Sequence, residues 1–146
     1  MRFSMINPNF AKLRCLIVDD HAMMRKMVKD FLEPMNITNL VNAENGKVAY
    51  EKMHLNVVTK QPQFNIVFLD LAMPEVDGYA LLKQCRSDVN YDDAAFVIIT
   101  AEGQKDQVMR AVKIGATSFL NKPFTEDEFN EKFMKVIRWL EERKVI

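Results

Sequence analysis

The chain has 146 residues, a length that suits one domain around a single core, and about half of them are hydrophobic with only four Gly and five Pro, which excludes a disordered or fibrous chain. Twenty basic residues balance twenty acidic ones, so no strongly basic surface is expected and nucleic-acid binding is disfavoured. The two cysteines, Cys15 and Cys85, belong to no CxxC unit and sit among apolar residues, so two buried free thiols are expected rather than a zinc site or a disulfide.

Residues 1–10 hold no apolar leader segment and read as a loose tail ahead of a domain spanning residues 11–146. No run nears the ~20 apolar residues that cross a bilayer, so the expectation is a cytoplasmic protein with no membrane partner. The first apolar run, Leu13–Val18, ends in Asp19 and Asp20. Met24, Met27, Val28, Phe31 and Leu32 follow at helical spacing. A weaker strand-like run, Asn39–Ala43, precedes a second helical segment over residues 47–55 and an irregular stretch at Asn56–Gln63. Asn65–Leu69 is the third strand-like run and leads directly into Asp70. Tyr79, Leu81, Leu82 and Cys85 suggest a third helix, followed by a second irregular stretch, Ser87–Asp93. Both irregular stretches are expected to be surface loops remote from the strand carboxyl ends.

The fourth run, Ala95–Ile99, is followed by Thr100, and Val108, Met109, Val112 and Ile114 suggest the fourth helix. The short fifth run, Ser118–Leu120, leads to Asn121, Lys122 and Pro123. Thr125 with Glu128 three residues later is a capping box, and Phe129, Phe133, Val136, Ile137 and Leu140 then form one apolar stripe of a fifth helix. Nearly continuous apolar strands alternating with helices predict a parallel sheet covered on both faces, a doubly wound α/β domain. Such a fold places its site beyond the carboxyl ends of the strands.

Those ends deliver three carboxylates (Asp19, Asp20 and Asp70), the Thr100 hydroxyl and the Lys122 ammonium. Crowded carboxylates either take up protons or gather a cation, and hard oxygen ligands at a wet site suit Mg2+. His21 beside them reads as a solvent-facing helix residue. A carboxylate held beside magnesium can act as a nucleophile toward phosphorus, with Lys122 and the cation facing the transferring oxygens. Thr100 can donate to one of those oxygens, and backbone N–H groups near Leu71–Met73 can assist.

Four segments carry a family resemblance: LIVDDHAMMR at 16–25, FLDLAMPEVDG at 68–78, IITAEG at 98–103 and GATSFLNKPF at 115–124. Over roughly residues 12–142 the chain resembles the response-regulator receiver family, its single-domain chemotaxis members in particular. The resemblance implies a flavodoxin-like three-layer sandwich of a five-stranded parallel sheet and five helices. It implies that Asp70 is the phosphoacceptor, that Asp20 ligates Mg2+ directly with Asp19 beside it, and that the Ala72 carbonyl is a further metal ligand. Asp70, Thr100 and Lys122 would form the catalytic set, Thr100 and Phe119 the switch pair, and Lys122–Pro123 a cis bond. Lys105, Val108, Val112 and Phe119 would lie on the output surface. Two positions depart from the chemotaxis pattern, with Phe119 in place of Tyr and Ala72 in place of Asn, and the Asn56–Gln63 region looks longer than usual.

The function so implied is that of a stand-alone receiver in a two-component phosphorelay, phosphorylated by a sensor histidine kinase or a histidine phosphotransfer protein. It would catalyse its own phosphorylation and dephosphorylation and act on a downstream protein, with chemotaxis or motility as the suggested pathway. A monomer that dimerises at most on phosphorylation is expected. The alternatives are a receiver-fold binding module that takes no phosphoryl group and, more remotely, a magnesium-dependent phosphatase.

Overall fold

The computed structural model describes residues 7–71, 77–101 and 105–146. Its centre is a parallel sheet of β1 (Arg14–Val18), β2 (Asn39–Ala43), β3 (Ile66–Asp70), β4 (Ala95–Ala101) and β5 (Ser118–Lys122), in the order β2-β1-β3-β4-β5. Five helices connect and flank it: α1 (Ala22–Leu32), α2 (Gly46–Val58), α3 (Gly78–Arg86), α4 (Lys105–Ile114) and α5 (Glu126–Glu142). This is the doubly wound α/β sandwich that the alternation predicts. The weaker second and fifth runs are the two edge strands, where a strand is covered less completely.

Strand periodicity sorts the core into two halves. Cys15, Ile17, Ile66, Phe68, Val97 and Ile99 pack with Val28 and Leu32 of α1 and Phe129, Phe133 and Val136 of α5. Leu16, Val18, Val67, Leu69, Phe96 and Ile98 pack against Met53 of α2, Leu81, Leu82 and Cys85 of α3 and Ala111 of α4. Each central strand is thus apolar on both sides, the physical reason for the unbroken Val, Ile, Leu and Phe runs. Cys15 and Cys85 are buried free thiols.

Side-chain caps set the starts of α2, α3 and α5. Asn45 accepts from the Val48 N–H, Asp77 from the Ala80 N–H, and the Thr125–Glu128 capping box opens α5 as its sequence implies.

Three local expectations need correction. Residues 8–10 are not loose: Pro8–Lys12 forms a 3-10 turn capped by Asn7, and Phe10 is buried edge-on against Phe133 at 5.7 Å. A ten-residue start without helix or strand periodicity hid one aromatic anchor for the α5 side of the core. The Asn56–Gln63 stretch begins as the last turn of α2, and its remainder is tied down by the Asn56 amide donating to Gln63 Oε1 (3.3 Å) and the Gln63 amide donating to the Met53 carbonyl (2.9 Å). Ser87–Asp93 contains the 3-10 turn Val89–Tyr91, capped by Asp88, which buries Tyr91 beside Tyr50. In all three, local side-chain hydrogen bonds order a segment that reads as irregular along the chain.

Candidate functional site

The strand order reverses between β1 and β3, since β1 leads outward to β2 while β3 leads to β4 and β5. Asp19 and Asp20 follow β1, and Asp70 is the last residue of β3, so the acids lie at that switch point. The Asp19 N–H continues the ladder by donating to the Ala43 carbonyl (3.1 Å), which holds the first acid at the carboxyl end of β1 rather than in a free loop. Asp19 and Asp70 are both buried, at 3% and 5% exposure.

β5 contributes the cation. Lys122 Nζ lies 3.1 Å from Asp19 Oδ2 and 3.7 Å from Asp70 Oδ2, so its ammonium joins the two buried carboxylates. The Lys122–Pro123 peptide that follows is cis, as the resemblance implies. Thr100 is buried on β4, one residue beyond Ile99, the partner of Asp70 in the parallel register. The structure therefore brings Asp19, Asp20, Asp70, Thr100 and Lys122 to one end of the sheet. Ala72 and Met73, the other positions named for the site, lie outside the described residues.

Three features were not legible in the motif. The ring of His21 leans on the acids, with Nδ1 3.1 Å from Asp19 Oδ1 and 3.0 Å from Asp20 Oδ1, although the side chain is otherwise solvent-facing. Its backbone N–H also donates to Asp19 Oδ1 (2.8 Å). Arg25, one turn into α1, donates to the Asp19 carbonyl and fixes the strand-to-helix connection. Gly78 opens α3 so close to β3 that a Cβ there would lie 1.9 Å from the Asp70 carbonyl oxygen, and its N–H donates to the Leu71 carbonyl (3.1 Å). Only a residue without a Cβ lets α3 begin against the backbone that carries Asp70. The His21 signal was its place directly after the acid pair; nothing in local spacing announced the other two.

One donor atom from each of Asp19, Asp20, His21 and Asp70 falls within 4.8 Å of the rest, a cluster able to coordinate a divalent cation. Lys122 offsets one of the three carboxylate charges, which leaves two negative charges for such an ion to balance. The donor set is dominated by hard carboxylate oxygen and fits a hard divalent cation. Chemically, the arrangement offers a buried carboxylate with fixed positive charge beside it, the combination that phosphoryl transfer requires.

On the neighbouring surface, Lys105, Val108 and Val112 of α4 and Phe119 of β5 line one groove of about 440 Å³ together with Met109, Lys113 and Asn121. The four residues named for an output surface are therefore contiguous. Phe119 also borders a smaller cavity of about 180 Å³ toward α5, lined by Glu128, Glu131 and Lys132. Among the described residues no helix is long and apolar enough to cross a membrane.

Comparison with known proteins agrees with this geometry. The model of the response regulator receiver domain matches residues 15–134. The chain is similar to the chemotaxis protein CheY1 of Helicobacter pylori, 34% identical over 125 residues that cover 86% of this chain and 97% of that protein. The chemotaxis protein CheY of Pseudomonas aeruginosa is 31% identical over 124 residues, 85% of this chain and 95% of its own length. Among solved structures, the receiver domain of AraT, a response regulator from Geobacillus stearothermophilus, superposes with a TM-score of 0.74 at 25% identity, covering 90% of this chain and 98% of that one.

Proposed function

The chain belongs to the response regulator receiver domain family, and from that membership we propose that it is a phosphoacceptor switch whose Asp70 accepts a phosphoryl group from a phosphohistidine. The observation that carries this reading is the contact of Lys122 with both Asp19 and Asp70, which sets a buried strand-end carboxylate beside a fixed ammonium. Membership implies a histidine kinase or histidine phosphotransfer protein as donor.

In the reaction, a carboxylate oxygen of Asp70 forms the new O–P bond as the P–N bond to the donor imidazole breaks, and the released ring nitrogen takes up a proton. Asp19, Asp20 and Asp70 would hold Mg2+, which would supply charge neutralisation for the transferring oxygens. Lys122 turns its ammonium from the carboxylates to the phosphoryl oxygens as charge moves there. Thr100 donates its hydroxyl to a phosphoryl oxygen and moves inward as it does so. The space it leaves favours an inward ring of Phe119, which has no hydroxyl to satisfy and so buries at little cost. That movement reshapes the groove formed by Lys105, Val108, Val112 and Phe119, the surface on which a downstream protein would dock. The relatives named as chemotaxis proteins favour a chemotaxis or motility pathway.

A small acyl-phosphate donor with Mg2+ tests the reading. The wild type is expected to gain one hydroxylamine-labile phosphoryl unit and Asp70→Asn none. Full labelling of Asp70→Asn would move the acceptor elsewhere, and no labelling of the wild type would favour a receiver-fold module that takes no phosphate.

A further inference from the structure

We infer that α3 is a second lever between the phosphoacceptor and the α4 groove. Arg110 on Tyr79 and Arg86 on Gly115 brace α4 to this helix, and its first residue abuts Asp70. The inference rests on the reading of Asp70 as phosphoacceptor and adds a route by which that site controls the output surface, separate from Thr100 and Phe119.

At its start α3 is locked to the strand end that carries the acid. Gly78 stands so near the Asp70 carbonyl that a Cβ would lie 1.9 Å from its oxygen, and the Gly78 N–H donates to the Leu71 carbonyl (3.1 Å). Packing this close leaves no slack, so a displacement of the Asp70 backbone passes to the first turn of α3. Tyr79 is the next residue of that turn, and the Arg110 guanidinium of α4 lies over its ring, 4.4 Å from the centroid.

The other end of α4 is fixed to the other end of α3. Arg86, the last residue of α3, donates from Nε to the Gly115 carbonyl (2.9 Å). Its two terminal nitrogens donate to the Tyr91 and Ala94 carbonyls (3.0 and 2.8 Å), and the guanidinium lies over the Phe96 ring at 4.8 Å. Gly115 follows α4 with a φ of 118°, and a Cβ there would lie 3.0 Å from the Arg86 side chain, so glycine permits both the turn and the close approach. Of its own ten residues α4 buries only Val108 and Ala111. A helix with so little core packing follows the element it is tied to, and its Val108, Met109 and Val112 line the groove. A shift at the start of α3 therefore reshapes the groove even where the Phe119 ring does not turn.

Methyl NMR of the full chain with Mg2+, with and without beryllofluoride, reads this at Val108 and Val112. The samples are the wild type, Arg110→Ala, Arg110→Lys, Tyr79→Phe, Thr100→Ala and the Thr100→Ala/Arg110→Ala double variant. Arg86 is left intact, because its loss removes a donor from three carbonyls at once and endangers the fold. Both valines should shift in the wild type. Thr100→Ala should keep part of that shift, and the double variant should lose the remainder. Arg110→Ala alone should lower the shifted population by about two- to fivefold, the weight of one exposed cation–π contact. Arg110→Lys and Tyr79→Phe keep a cation and a ring and should behave as the wild type. Asp70 should still take up its phosphoryl unit in Arg110→Ala, so a lost α4 shift reports transmission and not chemistry. An Arg110→Ala response equal to the wild type's, or complete loss of the α4 shift in Thr100→Ala alone, would overturn the lever and leave the phosphoacceptor standing. A phosphorylated wild type with no α4 shift would do the same. A wild type that neither binds beryllofluoride nor accepts a phosphoryl group would overturn both.

Discussion

Lys132 of α5 sits over the ring of Phe119, with Nζ 4.5 Å from the ring centroid. The ammonium thus favours the ring position at the boundary between the α4 groove and the smaller α5 cavity. A cation–π contact at such a half-exposed place is worth about 0.5–1 kcal/mol, which is a two- to fivefold bias in population. Lys132→Ala is expected to shift Phe119 toward the inward position by roughly that factor. Aromatic NMR with Mg2+, with and without beryllofluoride, reads the shift. An unchanged Phe119 environment in the variant would show that Lys132 does not hold the ring.

Lys122 would compete with a bound cation for the same carboxylates. Its ammonium is closer to Asp19 than to Asp70, at 3.1 against 3.7 Å. Lys122→Ala should therefore bind Mg2+ at least as tightly as the wild type, since a fixed positive neighbour is gone. Phosphorylation should nonetheless slow, because the phosphoryl oxygens lose a partner. Calorimetry and labelling rates on one preparation separate the two effects. Loss of Mg2+ binding would make Lys122 a structural support of the site.

Gly78 is a tight point beside the site. A methyl group there meets the Asp70 carbonyl oxygen at 1.9 Å, and backbone cannot yield as a flexible side chain can. Gly78→Ala should cost about 1–3 kcal/mol or more and displace the start of α3. Urea denaturation measures the first and the rate of Asp70 labelling the second. An unaltered midpoint with normal labelling would mean that α3 shifts freely.

Burial pushes the thiols of Cys15 and Cys85 up from an ordinary 9.0 to about 12. A folded-state pKa raised above the unfolded one contributes stability that is whole below the unfolded value and is lost as pH climbs through the folded value. Stability should therefore decline between about pH 9 and pH 12, in the range set by these two groups. At mildly alkaline pH a thiol reagent should label neither cysteine in the folded protein and both in denaturant. Rapid labelling of either in the native state would contradict its burial.

Asp70, Thr100 and Lys122 stood out in the sequence because each directly follows, or closely trails, a local apolar run. Unbroken apolar strands announced a sheet covered on both faces, and Thr125 with Glu128 announced the start of α5 through a purely local cap. These signals are short-range, so reading along the chain suffices. Contacts between distant segments leave no such trace. Lys122 reaches Asp19 across 103 residues, and its preference for that acid over Asp70 depends on where β5 and β1 end on either side of β3 and β4 in the finished sheet. The burial of Phe10 against Phe133 and the clearance at Gly78 likewise exist only once helices are packed on strands. Periodicity records which side of an element is apolar, which placed the acids at one end of the sheet. Distances between side chains from different elements arise from three-dimensional packing, and it was packing that brought Lys122 to Asp19 and set Lys132 over Phe119.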